Sequence, residues 1–150
     1  MSVKNKSIQI YLAGAMNGLT FNEMNAWRKK AKEKLLNSAD LCNYNAIVIN
    51  PVDFYNYEVD IHQSDKEVED YDLALATSSD LLLVDIRGLD HSIGTIIEIH
   101  DCNFHRHIPV IVFGDIELYE NLHPWIRRDI TRFEYTIDDA INYISDFYMI

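Results

Sequence analysis

The chain has 150 residues, 48% of them hydrophobic, 11% aromatic and 25% charged, and its formal net charge is −11. Such a length predicts one domain, residues 1–150, with a single core that buries roughly two-thirds of the unfolded surface. The acidity argues against a protein that holds a nucleic acid polymer chiefly by neutralising phosphates, because that mode needs a basic face; a small anion held by local donors remains compatible. No apolar run approaches the roughly 18 residues of a membrane span, and the start MSVKNKSIQI has no apolar h-region of a signal peptide. The expectation is therefore a cytoplasmic protein with no membrane partner. Cys42 and Cys102 stand far apart without a CxxC spacing, which suggests buried or half-buried thiols and neither a zinc ribbon nor a disulfide framework.

In chain order, Ser7 to Ala13 predicts the first strand. Gly14-Ala15-Met16-Asn17-Gly18 then forms a small-residue turn that is not GxGxxG but still lets a ligand come close to the backbone. From Phe21 to Leu36 the apolar residues Phe21, Met24, Trp27, Ala31 and Leu35 recur at three- and four-residue steps, an amphipathic helix. Ala46 to Asn50 is the second strand, stopped by Pro51. Val52 to Ser64 has no clean period and reads as an excursion over the strand ends, where Phe54, Tyr55 and Tyr57 offer faces for stacking a base or for local packing. Lys66 to Thr77 is a second helix that contains Asp72, one residue off its apolar set.

The stretch from Asp80 to Ile99 organises the rest. Leu81-Leu82-Leu83-Val84 is a continuous apolar run, as in a parallel strand covered on both faces, and Asp85 ends it. After the loop Arg87-Gly88-Leu89-Asp90-His91, Ser92-Ile93-Gly94-Thr95 opens a helix that carries Ile96, Ile97 and Ile99. A helix N-terminus presents unpaired N–H groups that favour an anion and keep a first-turn carboxylate ionised. Glu98 is expected there, at the carboxyl end of a strand where open α/β sheets place ligands; ordinary capping chemistry is the plainer alternative.

Beyond it, His100, Cys102, His105 and His107 crowd at a helix end, a pattern that predicts polar capping in place of a metal site. Ile108 to Gly114 is the fourth strand, Leu118 to Asp129 a short helical segment, Arg132 to Thr136 a fifth strand and Ile137 to Phe147 a terminal amphipathic helix. This alternation predicts an α/β, flavodoxin-like or Rossmann-like three-layer sandwich with a five-stranded parallel sheet in the order 2-1-3-4-5. In that order the crevice opens between the first and third strands, bringing Tyr11 and the Ser92–Glu98 loop to opposite walls.

The string Ser92-x-Gly94-Thr95-x-x-Glu98, together with Asp72, Asp80-Leu-Leu-Leu-Val and Ile10-Tyr11-Leu12-Ala13-Gly14, resembles the nucleoside 2-deoxyribosyltransferase superfamily, which includes the 2′-deoxynucleoside 5′-monophosphate N-glycosidases. The resemblance extends over most of the chain, from Ile8 to Ile144. It implies an enzyme that cleaves the N-glycosidic bond of a 2′-deoxynucleoside or its 5′-monophosphate, with Glu98 as the nucleophile on the sugar, Asp72 handling the base and Tyr11 orienting Glu98. Water or a second base resolves the glycosyl ester, and no metal or organic cofactor is implied.

Within that resemblance the position six before the nucleophile is an aspartate where the substrate has a free 5′-hydroxyl and a serine where it has a 5′-phosphate. Here it is Ser92. A hydroxyl beside the N–H groups of Gly94 and Thr95 suits a phosphate, although Ser92 also reads as a simple N-cap and Asp90 as a carboxylate able to fold back. Gly14, Met16 and Asn17 complete the expected substrate-binding set. Arg127, in His123-Pro124-Trp125-Ile126-Arg127-Arg128, is placed either to reach a phosphate across a homodimer interface of the kind such enzymes use or to form ion pairs in an acidic chain. Two rival readings stand beside this one. Gly94-Thr95-x-x-Glu98 also resembles the phosphoribohydrolases, ribonucleotide N-glycosidases that carry PGG where this chain has Asp90-His91-Ser92-Ile93. The His100-Asp101 pair, where small residues are usual, leaves a non-catalytic nucleotide-binding module open.

Overall fold

A computed structural model describes residues 6–54, 61 and 63–150. Strand β1 (Lys6–Ala13) leads into helix α1 (Phe21–Leu41), and β2 (Tyr44–Ile49) follows. Thr20 and Glu23 start α1 with a reciprocal capping box. The helix outlasts the expected Leu36 because Ala39 extends the buried row of Ala31 and Leu35, and it stops where Asn43 turns left-handed at φ 60°. Pro51–Phe54 forms a 3-10 turn. Phe54 meets the edge of Tyr71 at 6.0 Å between ring centroids, while Tyr55 and Tyr57 lie outside the described residues.

Helix α2 (Asp65–Thr77) feeds β3 (Leu81–Asp85); α3 (Ile93–His100) then leads through a π-helical turn at Asp101–His105 to β4 (Val110–Phe113). The helical segment expected over Leu118 to Asp129 is two helices, α4 (Ile116–Glu120) and α5 (Pro124–Arg127), because Pro124 cannot continue a helix but suits the first position of a new one. Strand β5 (Arg132–Glu134) and helix α6 (Ile137–Tyr148) complete the chain.

All five strands are parallel, in the order β2-β1-β3-β4-β5, as the alternation of elements predicts. Side chains alternate across the pleat. Ile8, Ile10 and Leu12 of β1, with Leu81 and Leu83 of β3, pack against α1 and α6. Tyr11, Leu82 and Val84 point the other way, toward Ala76 of α2 and Ile99 and Cys102 of the α3 segment. The sheet is thus covered on both faces, which is why β3 reads as an unbroken apolar run: Leu81 to Val84 have no exposed surface. Each such side chain contributes roughly 1.5–3 kcal/mol.

Strand order reverses at β1, with α1 crossing on one face and α2 on the other, so a crevice opens at the carboxyl ends of β1 and β3. At the opposite, amino-terminal edge the Ile150 carbonyl accepts from Lys6 Nζ at 2.7 Å and from the Tyr44 hydroxyl at 2.9 Å. Among the described residues no helix is long and apolar enough to cross a membrane.

Candidate active site

The crevice is a cavity of about 600 Å³. Tyr11 and Gly14 reach it from the end of β1, Met16 and Asn17 from the following turn, Asp72 from α2, Ser92, Gly94 and Thr95 from the start of α3, and Glu98 from its second turn. Nine of the residues singled out from the sequence therefore share one cleft. Two do not. Asp90 sits in the Leu89–His91 turn, exposed, with His91 Nε2 3.7 Å from its carboxylate, because Gly88 in the left-handed region turns the chain before it. Arg127 lies on α5, where its guanidinium donates to the Glu120 carbonyl at 3.4 Å. Neither lines the cavity.

Ser92 occupies the N-cap of α3, yet its hydroxyl does not cap the backbone; it lies 2.7 Å from the Thr95 hydroxyl. Two hydroxyls and the N–H groups of the first turn therefore stand together on the cleft wall. A Cβ built on Gly94 meets nothing within 4 Å, so the backbone there is open to a ligand.

Glu98 departs from the expectation in two respects. It falls in the second turn of α3, the sixth residue of Ile93–His100, so the helix N-terminus is not its immediate neighbour. Its carboxyl group is raised from the ordinary 4.5 to about 7, chiefly because burial strips water from the charged form. The Tyr11 hydroxyl donates to it and the Arg28 charge opposes the rise, while Asp72 adds to it. Tyr11 is itself only 1% exposed, so its hydroxyl is aimed at Glu98 by the pleat of β1 and by the core around the ring. Glu98 Oε2 has under 1 Å² of accessible surface and no hydrogen-bond partner among the described residues. An orphaned buried oxygen costs roughly 1–3 kcal/mol and signals an atom reserved for something else.

Sequence reading passed over Arg28. It is fully buried, lines the cleft, stacks on Trp27 at 4.8 Å, and donates to the carbonyls of Gly14 at 3.0 Å, Leu12 at 3.4 Å and Met24. The signal was present: Arg28 lies four residues after Met24 and three before Ala31, a core position of α1 filled by a charge. Gly14 permits this arrangement, since a Cβ there would come within 3.0 Å of the Trp27 ring. Asp65, Val68, Glu69 and Leu73 of α2 and His91 also line the cleft and were not singled out.

Among the described residues no group of three or more His, Cys, Asp or Glu side chains is placed to hold an ion. His100 Nδ1 lies 2.8 Å from the buried Asp129 carboxylate and its ring stacks on Phe104. Cys102 is buried, and its thiol is pushed up to about 12 by that burial and by the neighbouring carboxylates. Arg128 lies over Phe104 and Trp125 at 5.6 and 5.5 Å.

No family model matches the chain, and no curated protein sequence matches it significantly. Solved structures do. A conserved protein from Enterococcus faecalis V583 superposes with a TM-score of 0.69 over 93% of this chain and 98% of its own, at 16% identity. A 2-deoxyribosyltransferase from Bacillus psychrosaccharolyticus superposes with a TM-score of 0.60 over 90% of this chain and 91% of its own, at 20% identity. The chain has the fold of that 2-deoxyribosyltransferase. At these identities the likeness establishes the architecture.

Proposed function

We propose that this protein cleaves the N-glycosidic bond of a 2′-deoxynucleoside 5′-monophosphate by double displacement. A Glu98 oxygen bonds to C1′ as the C1′–N bond breaks and its electron pair leaves with the base, which takes a proton from Asp72. Attack on C1′ by water, or by a second base, then breaks the ester and regenerates the Glu98 carboxylate, and the proton of the attacking group passes to Asp72 and restores its acid form. Tyr11 orients Glu98 throughout. Ser92, Thr95 and the backbone of Gly94 receive the 5′-phosphate, because hydroxyls and N–H groups donate where a carboxylate would repel. The observation that carries this reading is the Glu98 carboxyl group, aimed by Tyr11 into a large cleft with one oxygen left without a partner. The fold shared with a 2-deoxyribosyltransferase supports it.

The test is release of free base and 2-deoxyribose 5-phosphate from each deoxynucleoside monophosphate, followed by chromatography with and without a second free base to reveal transfer. Base release is the expected result. Its absence with every deoxynucleotide and deoxynucleoside, or faster cleavage of ribonucleotides, would overturn the reading. The pH profile follows from Glu98. A nucleophile works as the carboxylate, and this one holds its proton up to about 7. The Glu98 limb of the specificity constant should thus rise with pH and bend at about 7, any fall at higher pH reporting the proton donor, whereas a profile with no rise between pH 5 and 7 would place an ordinary, exposed carboxylate in the role.

The same reading includes assembly. Trp125, 69% exposed, and Phe104, 54% exposed, are bridged by Arg128 into an apolar surface suited to a second copy of the chain. Light scattering should return a dimer or a higher homo-oligomer at micromolar concentration, and a monomer that turns over fully would refute it.

A further inference from the structure

We propose that α2 selects the base, and that Glu69 and Asp65, in line with Asp72, favour an amino-bearing base of the cytosine or adenine type over its oxo counterpart. The proposal rests on the function proposed above and names the substrate class of the same cleft. Asp65, Val68, Glu69, Asp72 and Leu73 fall at helical spacing, and all five line the cavity, so one face of α2 forms its wall. That face holds three carboxylates with Val68 and Leu73 between them. Among the described residues, the basic ones lining the cleft are Arg28, engaged with the carbonyls of Leu12, Gly14 and Met24, and His91 beside Ser92. Lys66 lies outside the cleft on Asp70, with Glu69 at the 4.0 Å limit of an exposed pair.

The acidic wall would by itself be a solvated helix face. The second observation is the buried, partnerless Glu98 Oε2 on α3, the helix against which α2 packs. It fixes where C1′ must lie, and with it the direction of the substrate. A phosphate cannot lie against three carboxylates, so it goes to the Ser92 end and the base goes to α2. Val68 and Leu73 give the ring plane an apolar surface, while Asp65 and Glu69, whose carboxylates only accept, meet its edge and Asp72 keeps its place as the proton donor to the leaving base. A 4-aminopyrimidine or 6-aminopurine presents exocyclic N–H donors to that edge; the 4-oxo or 6-oxo counterpart presents carbonyl lone pairs there instead.

The experiment uses pairs that differ at that one group: deoxycytidine against deoxyuridine monophosphate, and deoxyadenosine against deoxyinosine monophosphate. The amino member of each pair should have a specificity constant tenfold or more above its partner, the span of one charge-assisted hydrogen bond. In Glu69→Gln combined with Asp65→Asn, whose amides donate as well as accept, the ratio should fall by most of that factor. Both positions are exposed on a helix surface, so the fold persists in the variants. Equal rates within the pairs, preference for the oxo member, or a ratio unmoved by the double substitution would overturn the inference while leaving bond cleavage standing. If no nucleotide is cleaved, the proposed function falls and calorimetric titration of the same pairs still decides the inference: tighter binding of the amino member supports it, and equal affinity overturns it.

Discussion

Glu98→Gln should abolish base release, by roughly 10⁴-fold or more in kcat, while leaving the protein folded and more stable above neutral pH. The loss follows from removing the only group proposed to bond to C1′, since each factor of ten is about 1.4 kcal/mol of transition-state stabilisation. The stability gain follows from linkage. Folded Glu98 holds its proton up to about 7 against an ordinary 4.5, so the folded state binds more protons than the unfolded one between those values. Wild-type stability therefore declines as pH rises from about 4.5 to 7 and is flat beyond, a loss on the order of 3 kcal/mol from this group. A glutamine does not ionise and escapes that decline, less whatever its own buried amide forfeits. Denaturant midpoints at pH 5 and pH 8 are the check. A wild-type-like turnover number for the purified variant would sink the mechanism, and a stability difference identical at both pH values would sink the account of the carboxyl group.

Ser92→Asp should reverse the preference between phosphorylated and free substrates. Under the proposed function the hydroxyls and N–H groups at the start of α3 meet the 5′ end of the sugar, and two charge-assisted hydrogen bonds to phosphate at roughly 1.5–3 kcal/mol each should favour the monophosphate by a hundredfold or more. A carboxylate at that position repels the phosphate and accepts from a 5′-hydroxyl. Base release from each deoxynucleoside and its monophosphate, in both proteins, gives the two ratios. An equal rate on both forms in the wild type, or a strong preference for the unphosphorylated one, would mean that Ser92 does not meet the 5′ end. Asp90 is poorly placed to substitute, being exposed and absent from the cleft lining.

The topology was legible because each strand and helix carries its own period, and the parallel order follows from their alternation. Tyr11, Asp72, Ser92 and Glu98 stood out through the short strings that carry the family resemblance, and the fold brings all four to one cleft. The protonation of Glu98 was not legible, because desolvation is a property of what packs around a group, and the residues around Glu98 come from β1, α1 and α2. Arg28 was visible as a charge in an apolar row but lost among the lysines of α1. The acidic stripe of α2 was obscured by its exposed neighbours: of Asp65, Lys66, Glu67, Glu69, Asp70 and Asp72, only the spacing of the first, fourth and last marks a shared face.

The packing of the helix that bears Glu98 constrains how the protein moves. Ile99, next to the carboxylate, is 1% exposed and Cys102 is fully buried, and the π-helical turn that follows is tied down by Asn103, whose amide donates to the Ile108 carbonyl at 3.0 Å. Displacing Glu98 toward a ligand by even an ångström would drag both core side chains off the sheet, and close-packed interiors resist such a shift. The backbone amides of this segment accordingly belong with β3 and β4 in the last cooperative unit to exchange with solvent hydrogen, opening only when the whole molecule does. Any ligand of the cleft has to fit itself to a stationary carboxyl group, so selection among ligands is exercised on arrival, by the shape and charge of a rigid wall.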